Sequence, residues 1–291
     1  NKQRVLDVTE IMGDSLQITM AVQSMDQTVL KTIRRSNIRL KDYMEINRTL
    51  RERGLSSIGE IILGLPGETK ESFLKGIEEI VESGVPRLII YTLMLLEGTE
   101  FKDPVYRERH GIVGKYRIVP LNFSEIDGEL VFDYEEVGIA SNTLSFDDYL
   151  YLRGFALIVE TLHNDTVFEP LFRYALSLGA SRFEVLRRAY DSIATSSEAI
   201  HGVMNQFLAE TKNELWDSES DLIEFYRVPE NVERLSRGDV GGNLIYKYKG
   251  IGLTQLADEW ISFLAGLCTE ILEETTVDIG SLINGKNEIV L

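Results

Sequence analysis

The chain of 291 residues carries 47 acidic against 30 basic side chains, a formal net charge of −17 at pH 7. So negative a surface repels phosphate backbones and argues against nucleic-acid binding; no basic amphipathic helix suited to an anionic membrane is apparent either. Apolar residues make up 44%, enough for a buried core, but no apolar run reaches the roughly 18 to 20 residues that span a bilayer. The single cysteine, Cys268, excludes an intrachain disulfide, and a cytoplasmic compartment is the expectation.

Residues 16–22 are apolar and β-branched and read as a strand, and residues 26–36 and 40–53 read as helices. In the second helix Leu40, Tyr43, Met44 and Leu50 share a face and Gly54 marks the stop. A near-continuous apolar strand follows at 57–63, then a helix at 70–83 with Phe73, Ile77, Ile80 and Val81 inward, Thr69 as N-cap, Glu71 in the first turn and Gly84 at the end. A third strand is expected over 87–95. Apolar strands separated by helices imply an α/β protein with parallel β-α units, as an open sheet or part of a barrel. In both, ligands sit at the carboxyl ends of strands, which singles out residues 22–24, 64–67 and 92–96.

Residues 101–147 read as irregular, with strand-like pieces at 116–121 and 129–134. From Phe146 onward helices are expected at roughly 146–163, 168–178, 181–194, 197–215 and 253–274, with a glycine-rich interruption at 237–243. The expected division is 1–115 as the β/α part, 116–145 as an irregular connection and 146–291 as a mainly helical C-terminal domain.

His110, His163 and His201 are too scattered for a metal site, and there is neither a Walker A sequence nor a G-x-S-x-G elbow. Cys268 lies in an apolar stretch and reads as a buried free thiol. Two segments carry more information. Residues 22–35 (VQSMDQTVLKTIRR) put the polar pair Gln23 and Ser24 where a strand ends, and the following helix carries Arg35 twelve residues later. A guanidinium there is either a bidentate partner for a carboxylate or phosphate or an ordinary helix-end cation, a role Arg34 fills equally well. Residues 60–73 (EIILGLPGETKESF) set Glu60 in an apolar strand, where it must meet a structural donor or face a ligand. Gly64 and Gly67 let backbone approach closely and Pro66 ends the strand, whatever else they do.

In order and spacing these segments resemble the radical S-adenosylmethionine (SAM) enzymes, whose fourth strand and helix show G-V-Q-S-x-x-x-x-V-L-x-x-x-x-R and whose fifth strand shows D-x-I-x-G-x-P-G-E-T. Here Ala21 stands for the first glycine and Glu60 for the aspartate. Residues 91–99 are similar to the family's Y-x-L-x-x-x-P-G-T, with Glu97 for proline. The resemblance covers roughly residues 1–100 closely and, in the rest, loosely suggests the cobalamin-binding subgroup. It implies a partial TIM-like (β/α) barrel followed by a mainly α-helical C-terminal domain. It also implies a SAM site in which Gln23 and Arg35 meet the methionine end, Glu60 the ribose or amino group and Ile62 the adenine. Thr92 would border the adenine through its backbone, and Ser24, Gly64 and Pro66 would shape the site.

The family's C-x-x-x-C-x-x-C loop, which binds the [4Fe–4S] cluster, has no counterpart in this chain. The chain opens at Asn1 within what reads as an element already begun, so the cluster ligands and any cobalamin domain are expected upstream. The resemblance implies that the intact protein cleaves SAM to a 5′-deoxyadenosyl radical, as a cobalamin-dependent methyltransferase or related oxidoreductase, with a small-molecule substrate and a reductant protein as partners. A non-catalytic SAM- or nucleotide-binding β/α protein and a helical interaction module are the alternatives.

Overall fold

The computed structural model describes residues 11, 18–37 and 39–288. Three parallel strands, β1 (Ile18–Gln23), β2 (Ser57–Leu63) and β3 (Arg87–Thr92), form a sheet in the order β1-β2-β3. Residues 16 and 17 of the expected first strand lie outside the described residues. Between the strands run α1 (Gln27–Thr32), α2 (Leu40–Glu52) and α3 (Lys70–Glu82), giving the expected mixed α/β character. Helix α1 is shorter than the expected 26–36. Asp26 starts it by accepting the Thr28 and Val29 N–H groups, and the left-handed backbone of Arg34 rules out continuation. In α3, Thr69 and Ser72 close a capping box, and Phe73, Ile77, Ile80 and Val81 are buried as expected.

Helix α2 buries Tyr43, Asn47 and Leu50, positions spaced by about one and two helical turns. Met44, expected on the same face, is exposed, because one residue past Tyr43 the helix has turned by about 100°. Gly59 lets the two helices close on β2: a Cβ there would lie 2.9 Å from Tyr43 Oη and 3.1 Å from Ile80 Cγ2.

After α4 (Pro104–His110), the stretch expected to be irregular is instead a long antiparallel hairpin, β4 (Val113–Ile126) and β5 (Glu129–Ala140). Its tip is an Asp127-Gly128 turn with both residues at positive φ, the geometry that matches the twist of paired strands. The expected third strand stops at Thr92 rather than 95, because the chain turns there to meet β5. Leu95 N–H donates to Glu136 O and Gly138 N–H to Leu93 O, both at 2.8 Å.

The remaining helices are α5 (Phe146–Ile158), which runs on through a π turn at Val159–His163, α6 (Glu169–Ser177), α7 (Arg182–Asp191), α8 (Glu198–Asn213), α9 (Glu219–Arg227), α10 (Pro229–Arg237), α11 (Leu244–Thr254) and α12 (Ala257–Glu288). Helices α9, α10 and α11 occupy a region for which no helix was expected. A continuous cluster of buried side chains runs from Val22 and Ile61 in the sheet through Phe155 and Phe172 to Ile271, so the helices pack directly on the sheet. Among the described residues no helix is long and apolar enough to cross a membrane.

Candidate functional site

The carboxyl ends of β1 and β2 carry most of the residues singled out in the sequence. β1 ends at Gln23, whose φ of 64° reverses the chain where the β1–β2 register slips. Ser24 follows, buried, with its Oγ donating to Glu68 Oε2 at 2.6 Å. Ser72 Oγ donates to the other carboxylate oxygen of Glu68. Burial pushes the Glu68 carboxyl above the usual range, opposed by these two hydroxyl donors. Asn37 Nδ2 donates to the Ser24 carbonyl at 2.7 Å, while its Oδ1 is buried without a partner.

The two arginines that the sequence left interchangeable are distinguished. Arg34 pairs with Glu100 at 2.6 Å. Arg35 bends back to the Ala21 carbonyl at 3.1 Å and meets no carboxylate among the described residues. An exposed guanidinium on a backbone carbonyl can take an incoming anion without first giving up an ion pair.

Glu60 and Ile62 alternate with buried Ile61 and Leu63 along β2 and are half-buried on the sheet face away from the helical core. Tyr91 Oη approaches Glu60 Oε1 at 3.4 Å, and Tyr91 pairs in register with Ile62. Pro66 and Gly67 form a tight turn closed by Glu68 N–H donating to Leu65 O at 3.0 Å, with Gly67 at φ 88°. Gly64 (φ 98°) has a packing role as well, since a Cβ there would sit 3.1 Å from the Gly138 carbonyl of β5. Thr92 pairs in register with buried Leu63, so its side chain turns to the face opposite Glu60 and Ile62. Gln23, Ser24 and Arg35 thus gather at the β1 end, Glu60 and Ile62 share one sheet face, and the Thr92 side chain stands apart.

Sequence reasoning passed over three participants. Glu68 sits within the Pro-Gly-Glu-Thr run, but nothing local says that a turn carboxylate is fully buried. Asn37 carries no pattern of its own, and Tyr91, although it opens the Y-x-L run, is not singled out for the site by it. Among the described residues no three His, Cys, Asp or Glu side chains converge as a metal site, and Cys268 is buried against the Leu171 carbonyl.

No protein-family model matches the chain. It is 30% identical over 193 residues to the cobalamin-dependent radical SAM methyltransferase TokK of Streptomyces tokunonensis, covering 63% of this chain and 28% of that protein. It is 29% identical over 171 residues to a 2-(S-pantetheinyl)-carbapenam-3-carboxylate methyltransferase of Streptantibioticus cattleyicolor, covering 56% and 24%. It is 26% identical over 182 residues to the heme chaperone HemW of Lactococcus lactis, covering 61% and 44%. The chain is thus a partial relative of radical SAM enzymes. It spans less than half the length of each of these three proteins.

Proposed function

We propose that this chain is the carboxyl-terminal part of a radical SAM enzyme, most closely in the manner of a cobalamin-dependent methyltransferase. Strands β1 to β3 would be the closing strands of a (β/α) barrel completed by chain outside this sequence. The observation that carries the reading is Arg35, which among the described residues meets no carboxylate and reaches back to the carboxyl-terminal half of β1, while its neighbour Arg34 is paired.

The residues present fit SAM. Arg35 would take the methionine carboxylate in a bidentate pair, and Gln23 would hydrogen-bond the same end. Glu60 would accept from the ribose or amino group, and Ile62 would give the adenine an apolar shelf. When bound, SAM supplies the radical chemistry; these side chains bind and orient it. The residues do not fit a [4Fe–4S] cluster: one buried thiol cannot hold it, so its ligands, like any cobalamin domain, would lie outside this chain. The helices would then help enclose a small-molecule substrate, and the intact enzyme would draw electrons from a reductant protein.

The test is SAM binding to the intact, cluster-loaded protein by equilibrium dialysis. Arg35→Ala should weaken it at least tenfold, about 1.4 kcal/mol, and Arg34→Ala should leave it near wild type. Equal binding by the wild type and the Arg35→Ala variant would remove Arg35 from the site.

A further inference from the structure

The edge of β3 that faces away from β2 is closed at two ends and open between them. At one end Asn164 takes both main-chain groups of Leu88: the Leu88 N–H donates to Asn164 Oδ1 at 2.9 Å and Nδ2 donates to the Leu88 carbonyl at 3.0 Å. At the other end the hairpin takes over at Leu93. Alternate residues of a strand turn their main-chain groups the same way, so Ile90 and Thr92 direct theirs to the open stretch. Both line a cavity of about 270 Å³.

Three polar features converge there. The first is Arg153 from α5, only 5% exposed, whose guanidinium makes no hydrogen bond or ion pair among the described residues. It lies over the face of Phe207, 5.8 Å from the ring centre. The second is Thr92 Oγ1, buried without a partner. The third is the amino end of α11, where Asn243 Oδ1 caps the Tyr246 N–H and leaves the first-turn amides of Leu244 and Ile245 ahead of the helix's own ladder. The other charged groups on the walls contact one another or Lys249 rather than Arg153: Arg117 is shared by two carboxylates, 2.6 Å from Glu135 and 3.3 Å from Glu214, and Glu160 lies 2.7 Å from Lys249. A buried guanidinium without a counter-ion is costly, and the natural remedy is an anion from outside.

We propose that this cavity binds a small molecule bearing a single carboxylate. The carboxylate would pair with Arg153 and take donors from Thr92 Oγ1 and the α11 amino end, as anions do at helix amino ends. Leu88, Ile90 and Ala156 offer an apolar wall for the rest of the ligand. Glu135, Glu160 and Glu214, though paired, make a doubly charged phosphate a poor fit. The Thr92 side chain lies on the opposite sheet face from Glu60 and Ile62, so the proposal stands whether or not SAM binds.

The test is calorimetric titration of the full chain with hippurate, its uncharged analogue hippuramide, and inorganic phosphate. Hippurate should bind, and hippuramide and phosphate should bind at least tenfold more weakly. Arg153→Gln should lower hippurate affinity at least tenfold and Arg153→Lys should restore part of it. Should Arg153→Gln not fold, Thr92→Val, which removes only an unpartnered hydroxyl, should still weaken hippurate severalfold. The proposal is overturned if hippurate fails to bind at millimolar concentration or binds no better than hippuramide. It is likewise overturned if phosphate binds as well, or if a folded Arg153→Gln or Thr92→Val chain binds hippurate like the wild type.

Discussion

Asn164 clamps the β3 edge, and the size of its contribution follows from what its loss would strand. The residue is fully buried, and its side-chain amide satisfies the Leu88 N–H, the Leu88 carbonyl and Glu160 Oε2, the last at 2.5 Å. Asn164→Ala leaves both Leu88 groups buried and unpartnered. At roughly 1 to 3 kcal/mol for each orphaned group, the loss is about 2 to 6 kcal/mol. Glu160 keeps Lys249, which limits the third loss. The near-isosteric Asn164→Asp is the sharper case. Its carboxylate still accepts from the Leu88 N–H but sets a second negative oxygen against the Leu88 carbonyl and against Glu160. At pH 7 the aspartate variant should therefore be less stable than the alanine variant, and the gap should narrow on acidification as the new carboxyl gains a proton and becomes a donor. Urea unfolding followed by circular dichroism measures all three chains. A loss below about 1 kcal/mol for Asn164→Ala, or an aspartate variant at least as stable as the alanine one at pH 7, refutes the reasoning.

Glu68 tests the β1 end. Glu68→Ala takes away the acceptor of the buried Ser24 hydroxyl, which keeps only the Asp26 N–H, while Ser72 keeps its capping-box partner Thr69, so the loss should be about 1 to 3 kcal/mol; Glu68→Gln keeps partners for both hydroxyls and should cost little. Because burial raises the folded-state pKa of Glu68 above its unfolded value, this carboxyl gives up stability as pH rises through that folded value, and the Gln variant should lack this component in a pH series of unfolding curves. His163 tests the opposite direction. Burial, and then the charge of Arg182, lower its pKa from 6.5 to about 4, with Nε2–H donating to the Val85 carbonyl at 3.0 Å. The unfolded chain therefore binds the proton first, so stability present above pH 6.5 is lost as pH falls toward 4, up to about 3 kcal/mol. His163→Gln should flatten that stretch of the stability curve, and an unchanged slope would place the acid sensitivity elsewhere.

Local signals carried the β/α part well. The cap at Thr69, the inward face of α3 and the apolar run of β2 are each written within a dozen residues, and the structure follows them. The hairpin was harder to read, although Asp127-Gly128 is a strong turn signal. Pro120 and the many charged residues of β4 and β5 mask an alternation whose buried members are few. Ile118 and Phe132 find their cover only in Leu222, Tyr226 and Leu235 of α9 and α10. Those two helices are short, and their burial depends on the hairpin in turn, so neither half of the contact announces itself alone. The same limit applies to the polar residues. Glu68 looks like a solvated turn carboxylate and Arg153 like a surface position on a helix. Only the packing of distant segments makes the first a buried acceptor and the second a buried cation without a counter-ion.

The π turn explains how the helical region grips the sheet. An α-helix continued regularly past Ile158 would keep its apolar face inward and carry polar residues around to solvent. The wider turn at Val159–His163 shifts the register, a device that often marks functional positions in helices. Glu160, His163 and Asn164 are all buried there, one reaching Lys249 of α11, one the Val85 carbonyl ahead of β3 and one the Leu88 edge. Together they fix the amino-terminal half of β3 from the helical side, while β5 fixes the chain beyond its carboxyl end. Each polar group in this grip has a partner except His163 Nδ1. The open stretch of edge between the two clamps, with Arg153 above it, is therefore not a region the fold neglected to fill. It is bounded on both sides by hydrogen-bonded contacts, and two buried polar atoms without partners, Thr92 Oγ1 and Arg153 Nε, belong to residues that line the cavity there.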